Sequence, residues 1–271
     1  MTDQASSSFV GDIPGHYDQE LGPVLFAGFA ADMAARVAAP APARVLEIAA
    51  GTGIVTRQLR DRLTADADLL ATDLNDAMLD AARQKFGSDE RVRFRHADAT
   101  TLPFADTAFD AVVCQFGVMF FPDKERSYRE VHRVLAPGGG YWFSVWDSHR
   151  HNRFARLVHE TITGFFDVDP PQFYRVPFGY HSIDQIRESL AQAGFTGLDV
   201  AVLRIDQDVP DVGSFARGLV HGNPVVDQIR SRGGVEPNRV VTAIAEALRR
   251  EFGAGQCRIP LHTITFAATK P

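Results

Sequence analysis

From about residue 44 onward, short β-rich apolar runs alternate with stretches whose apolar residues recur at helical spacing. This alternation restricts the fold more than any other feature of the chain. A strand that returns parallel to its neighbour needs a crossover of a dozen or more residues, usually a helix, and such crossovers are right-handed. The spacing predicts strands over Arg44–Ile48, Asp68–Thr72, Arg91–His96, Phe109–Gln115, Gly140–Trp146, Leu198–Ile205 and Leu261–Ala268, with helices starting near Gly53, Asp76 and Asp123. The expected architecture is α/β, a doubly wound, seven-stranded, mostly parallel sheet with helical lid insertions, built as a single domain over residues 1–271.

Two regions break the alternation and are expected to lie over the sheet as substrate walls. Residues 1–42 form a helical flap, in which Leu21, Val24, Leu25, Phe29, Met33 and Val37 repeat at helical spacing behind the loop Phe9–Tyr17. Residues 148–182 are dense in rings and imidazoles, among them His149, His151, Phe154, His159, Phe173, Tyr174, Phe178 and His181. A third insertion, residues 211–253, separates the last two strands; its apolar face either covers the sheet or supports a homodimer.

Charge and cysteine content narrow the function classes. Lys and Arg number 28 against 34 Asp and Glu, a formal charge of -6, and no basic patch stands out, so neither nucleic acid nor an anionic membrane is an expected partner. The apolar stretch Leu21–Ala50 is interrupted by Asp32, Arg36, Pro40, Pro42 and Arg44, short of the roughly 20 clean residues of a membrane span. The polar amino terminus lacks a secretory pattern, and the two cysteines, Cys114 and Cys257, allow no disulfide framework. A cytoplasmic protein is expected. The histidines have no recognisable ligand spacing with carboxylates or cysteines, so no metal is expected either.

Chemistry concentrates at Val45-Leu46-Glu47-Ile48-Ala49-Ala50-Gly51-Thr52-Gly53, a buried strand running into a glycine turn and a helix. Glycines let the backbone approach a ligand closely, and the helix start offers unpaired N–H groups. Alone, Gly51 and Gly53 also admit the lesser reading that they merely shape the turn. Asp73, about 20 residues further on, ends the second strand where a carboxylate accepts ribose hydroxyls. That spacing admits a dinucleotide or an adenosyl cofactor. A dinucleotide site wants a third glycine where this chain has Thr56, and Glu47 suits a cation better than a pyrophosphate.

With these residues in view, the sequence resembles the class I S-adenosylmethionine-dependent methyltransferases, in particular the small-molecule branch akin to the ubiquinone/menaquinone-biosynthesis enzymes. The likeness covers residues 43–147, the expected cofactor-binding core, in four ordered blocks: Glu47–Gly53, Ala71–Asn75 with Met78, His96–Ala99 followed by Leu102-Pro103-Phe104 and Phe109-Asp110, and Glu130–Gly139. It implies a Rossmann-like methyltransferase fold. It also implies S-adenosylmethionine as cofactor, held by Glu47, Ala49, Gly51 and Gly53 at the methionine moiety, by Asp73, Leu74 and Met78 at ribose and adenine, and by Asp98 and Ala99 at the adenine edge. Gln115 is expected beside the reactive methyl, and Tyr17 over the cofactor. Ala49 departs from the family's usual glycine.

The implied reaction is in-line displacement onto an O, N or C atom of a small, hydrophobic or aromatic methyl acceptor. Tyr17, Gln115, His149 and His181 are the candidates for a catalytic role, with Phe116, Trp146, Asp147, His16, His151 and His221 within the same expected region. Nucleic-acid base methylation is disfavoured because Cys114-Gln115-Phe116-Gly117 stands where an Asn/Asp-Pro-Pro-aromatic run would be. Two other classes remain open: an NAD(P)-dependent oxidoreductase, and a protein that binds the cofactor without catalysing methyl transfer.

Overall fold

The computed structural model describes residues 7–255 and 257–271; residues 1–6 of the expected flap lie outside them. Seven strands form one sheet, β1 (Arg44–Ile48), β2 (Asp68–Asp73), β3 (Val92–His96), β4 (Phe109–Gln115), β5 (Leu135–Trp146), β6 (Thr196–Val209) and β7 (Cys257–Thr269). Their order is β3-β2-β1-β4-β5-β7-β6, with β7 inserted antiparallel between β5 and β6 and every other pairing parallel.

The central strands are apolar on both faces, as parallel strands covered by helices must be. Val45, Leu69, Ala111 and Val113 point to one layer, where they meet Val55 and Leu59 of α2 (Ile54–Arg62). Leu46, Ile48, Leu70, Val112 and Cys114 point to the other, shared with Tyr128, Val131 and Val134 of α4 (Lys124–Val134). Asp123 caps α4, its Oδ1 accepting from Arg126 N at 2.8 Å. Between β2 and β3 runs α3 (Asp76–Arg83).

The flap is a continuous helix, α1 (Ile13–Ala38), whose middle, Tyr17–Phe26, is π-helical and contains Pro23. Ala30, Met33, Ala34 and Val37 join the first layer, while Leu21, Leu25, Phe26 and Phe29 join the second. By length and composition alone α1 could cross a membrane, against the expectation from its charged interruptions, yet 56% of its apolar window is buried within the protein.

After β5 come α5 (Arg153–Thr163), a single 3₁₀ turn at Phe173–Arg175 and α6 (Ile183–Gln192). The third insertion folds as α7 (Val212–His221), α8 (Val225–Arg232) and α9 (Pro237–Phe252), with Phe215, Leu219, Ile229, Val240, Ile244 and Leu248 buried in the main core. Its apolar residues thus pack on the protein itself, and the large hydrophobic residues exposed among the described residues are Val10, Leu74, Val168 and Val202.

Four strands outrun their predicted ends, β2 by the single residue Asp73 and three others by more. β5 begins at Leu135, so Pro137-Gly138-Gly139 belongs to the strand rather than to a turn before it. β6 and β7 pair from Thr196↔Thr269 to Val209↔Cys257, whereas β5 reaches only Thr263 on β7. The remainder is a two-stranded arm. Edge strand β6 carries Asp199, Arg204, Asp206 and Asp208, and such charges discourage edge-to-edge pairing.

Candidate active site

Strand order reverses at β1 and β4, and in open α/β sheets the crevice beyond such a reversal is where ligands bind. The backbone leaving β1 is left-handed at Ala49 (φ 53), Gly51 (φ 57) and Gly53 (φ 78). The Gly51 N–H donates to Asp73 Oδ2 at 2.9 Å, which ties the turn to the end of β2. Asp73 Oδ1 accepts from the Asn75 backbone N–H at 2.8 Å and from its Nδ2 at 3.3 Å. Burial raises the Asp73 pKa, opposed by these N–H donors.

A cavity of about 240 Å³ opens there, and nine residues expected around the cofactor line it: Tyr17, Ala49, Gly51, Asp73, Leu74, Met78, Asp98, Ala99 and Gln115. Asp98 Oδ1 accepts from Thr100 N at 2.7 Å and Thr100 Oγ1 at 2.8 Å. Glu47 borders a smaller recess behind the turn with Gln115 and Phe116. It is buried, its Oε2 has no hydrogen-bond partner, and burial with the nearby Asp73 charge pushes its carboxyl up to about 8. Gln115 Nε2 donates to Phe26 O at 3.4 Å, while its Oε1 is buried and unpartnered.

Gly53 lines neither space. A Cβ there would lie 3.0 Å from the Ala82 Cβ, so this glycine allows the turn to pack closely on α3. The sequence reading missed Phe9, Asn75, Gly117 and Phe120 as lining residues. Asn75 had a signal, since it ends the second matched block. Phe9 had none: its N–H donates to Asn75 Oδ1 at 3.2 Å across 66 residues.

Beside this cavity lies a narrow chamber of about 50 Å³, walled mainly by rings. Phe9, Tyr17, Phe116 and Phe120 border both spaces. Tyr17 stacks on Phe26 (centroids 4.7 Å apart, planes at 18°) and Phe116 on Trp146 (4.2 Å, 1°), the latter with Phe116 in the left-handed region at φ 57. From the expected lid segments come Phe154, Phe173, Tyr174 and Phe178, joined by Leu219 and Asn223 of the third insertion.

The histidines are elsewhere. His149 packs on His159 and Phe178 at 5.6 and 5.1 Å, and neither it nor His181 lines either cavity. His151 pairs with Asp147 at 2.9 Å, His16 with Glu20 at 3.1 Å, and His221 Nε2 lies 3.1 Å from Asn238 Oδ1. Among the described residues, no three His, Cys, Asp or Glu side chains converge as metal ligands do.

Fold and site together resemble those of the class I S-adenosylmethionine-dependent methyltransferases. A methyltransferase-domain family model matches residues 45–139. The chain is similar to the demethylmenaquinone methyltransferase of Deinococcus radiodurans, 42% identical over 107 residues that make up 39% of this chain and 44% of that protein. It thus spans less than half the length of this curated relative. It is also similar to the malonyl-[acyl-carrier protein] O-methyltransferase of Geobacter sulfurreducens, 27% identical over 242 residues and 84% of each chain. Among solved structures, it shares its fold with Haemonchus contortus phosphoethanolamine N-methyltransferase 2 in complex with phosphomonomethylethanolamine and S-adenosylhomocysteine: TM-score 0.65, 17% identity, 99% of this chain and 60% of that one.

Proposed function

We propose that this chain transfers a methyl group from S-adenosylmethionine to an O, N or C atom of a small, hydrophobic or aromatic metabolite by in-line displacement. The observation that carries this reading is the shared wall. Phe9, Tyr17, Phe116 and Phe120 border both the cofactor cavity and the aromatic chamber, so a donor in one and an acceptor in the other are one side-chain layer apart.

The residues present fit the cofactor. Glu47 Oε2 and Gln115 Oε1 are buried acceptors without protein partners, a costly arrangement that a cationic ligand relieves. Glu47 would hold the ammonium, Asp73 the ribose hydroxyls, Leu74 and Met78 the ribose and adenine, and Ala99 with Asp98 the adenine edge, Asp98 taking the exocyclic amine through its Oδ2, since Thr100 occupies Oδ1. When bound, S-adenosylmethionine supplies an electrophilic methyl on a sulfonium. The chain's own work is to align an acceptor with that bond and to exclude water.

Tyr17 and Tyr174 are the titratable side chains among the chamber's lining residues, and burial raises the pKa of both hydroxyls, so neither is a base near neutral pH. An acceptor that needs no adjacent base suits this surface. The relatives methylate a quinone precursor and an acyl-carrier-bound malonyl group by their names; the ring-lined chamber favours the apolar end of that range. Small-molecule chemistry in the cytoplasm, without nucleic-acid or membrane partners, completes the reading; both cysteines are unpaired, in keeping with a reducing compartment.

The test is calorimetric titration with S-adenosylmethionine, S-adenosylhomocysteine, NADH and NADPH, on the wild type and Asp73→Ala, followed by mass-spectrometric search for methylated products in a metabolite panel. Adenosyl binding that Asp73→Ala weakens, with methylated product, supports the reading. Nicotinamide binding instead overturns it in favour of an oxidoreductase, and tight adenosyl binding without product favours a non-catalytic binder.

A further inference from the structure

The polar side chains that line the acceptor chamber are Tyr17, on the wall shared with the cofactor cavity, and Tyr174 with Asn223. Asn223, just beyond α7, is buried beside Tyr174. The Tyr174 hydroxyl donates to Leu219 O at 2.6 Å. Asn223 Nδ2 faces Leu219 O at 3.3 Å, Gly218 O at 3.5 Å and the Tyr174 oxygen at 3.5 Å. Two carbonyl oxygens can only accept, and the tyrosine proton is already engaged, so the amide nitrogen has to lie on that side. This fixes the orientation of the amide and leaves Asn223 Oδ1 without a partner among the described residues. An acceptor oxygen held this way in a ring-lined space discriminates strongly, because a ligand without a donor leaves it unpaired while a ligand with one satisfies it.

We propose that Asn223 Oδ1 is the polar recognition point of the acceptor chamber, taking a hydrogen bond from a hydroxyl or N–H of the methyl acceptor. The acceptor class is then an apolar or aromatic ring that carries such a donor on the side away from the transferred methyl. Asn223 borders the chamber but not the cofactor cavity, so it sets specificity and orientation and takes no part in proton transfer. This inference rests on the methyltransferase reading above.

The experiment titrates 4-ethylphenol and its methyl ether, 4-ethylanisole, into protein saturated with S-adenosylhomocysteine. The wild type is expected to bind the phenol about tenfold more tightly than the ether, the discrimination one hydrogen bond provides. In Asn223→Leu the ratio falls to within about twofold. If Asn223→Leu no longer binds S-adenosylhomocysteine, Asn223→Ala is read in its place with the same expectation. The proposal is overturned by an undiminished preference in the leucine or alanine variant, by no preference in the wild type, or by no phenol binding at all. Failure of the wild type to bind S-adenosylhomocysteine overturns the methyltransferase reading itself, and this inference with it.

Discussion

Ala49 and Gly117 face each other across the glycine turn so closely that a Cβ on Gly117 would lie 2.5 Å from the Ala49 Cβ and 2.7 Å from Cys114 Sγ. Ala49 adopts a left-handed conformation that costs an L-residue roughly 1–2 kcal/mol relative to glycine, and its methyl group occupies the space that Gly117 vacates. Gly117 itself has φ -96 and ψ -42, which any residue tolerates, so the obstacle to a side chain there is purely steric. Gly117→Ala is expected to destabilise the protein by about 2 kcal/mol through overpacking and to weaken adenosyl binding. Ala49→Gly alone should change stability by less than about 1 kcal/mol, because relief of strain opposes the added freedom of the unfolded chain. Combined, the two should show a favourable coupling of about 1 kcal/mol in denaturant unfolding, and strict additivity would sink the argument.

Glu47 makes the stability of the unliganded protein depend on pH. Its carboxyl is pushed up to about 8 by burial first and the Asp73 charge second, so between the ordinary glutamate range and about pH 8 the folded state holds a proton that the unfolded state has lost. Stability from this group is therefore full at acid pH and is lost as pH rises toward 8. A cationic ligand favours the ionised form, so cofactor affinity should rise with pH over the same window and binding should release a proton. Glu47→Gln should flatten the difference in melting temperature between pH 5 and 8, weaken binding about tenfold or more, and abolish proton release, the last seen by calorimetry in buffers of different ionisation enthalpy.

The parts of this site that could be read from the sequence are those made by short-range geometry. Val45 and Leu46 alternate onto two buried layers, the turn follows at once, and Asp73 is one βαβ unit further on, so strand period and spacing alone bring the carboxylate to the glycines. Contacts made by loop closure were hidden. Phe9 meets Asn75, and Asn223 enters the chamber from an insertion whose apolar spacing speaks only of helices. The density of rings in residues 148–182 did mark a wall of the chamber, but composition could not tell Phe154 and Phe178, which line it, from His149 and His181, which do not. The ends of β6 and β7 were hidden for another reason: their outer halves pair only with each other, so no apolar run on both faces was required there.

Asn75 works as a latch between the floor of the cofactor cavity and the flap. It accepts from Phe9 N at 3.2 Å, donates to Ser7 O at 3.1 Å, and braces Asp73. Asn75→Ala should loosen the flap without unfolding the sheet: amide exchange over residues 7–26 accelerates, and S-adenosylhomocysteine binds about threefold to tenfold more weakly, mostly through faster release. Unchanged exchange in that segment would show that the flap is held by α1 packing alone.

Tyr17 separates a wall from a proton donor. Its ring stacks on Phe26 at 4.7 Å and meets Phe9 edge-on at 5.9 Å, while burial, reinforced by Asp73 and Asp18, raises its pKa and keeps the hydroxyl protonated. If the ring is what matters, Tyr17→Phe preserves both aromatic contacts and should stay within about threefold of wild type in cofactor affinity and turnover, with the same pH profile. Tyr17→Ala removes part of the wall shared by the two cavities, lets water reach the methyl path and should lower turnover by tenfold or more, with a smaller loss of cofactor affinity. A phenylalanine variant as impaired as the alanine one would shift the role to the hydroxyl. Wild-type behaviour in both would mean that Tyr17 does not close the site.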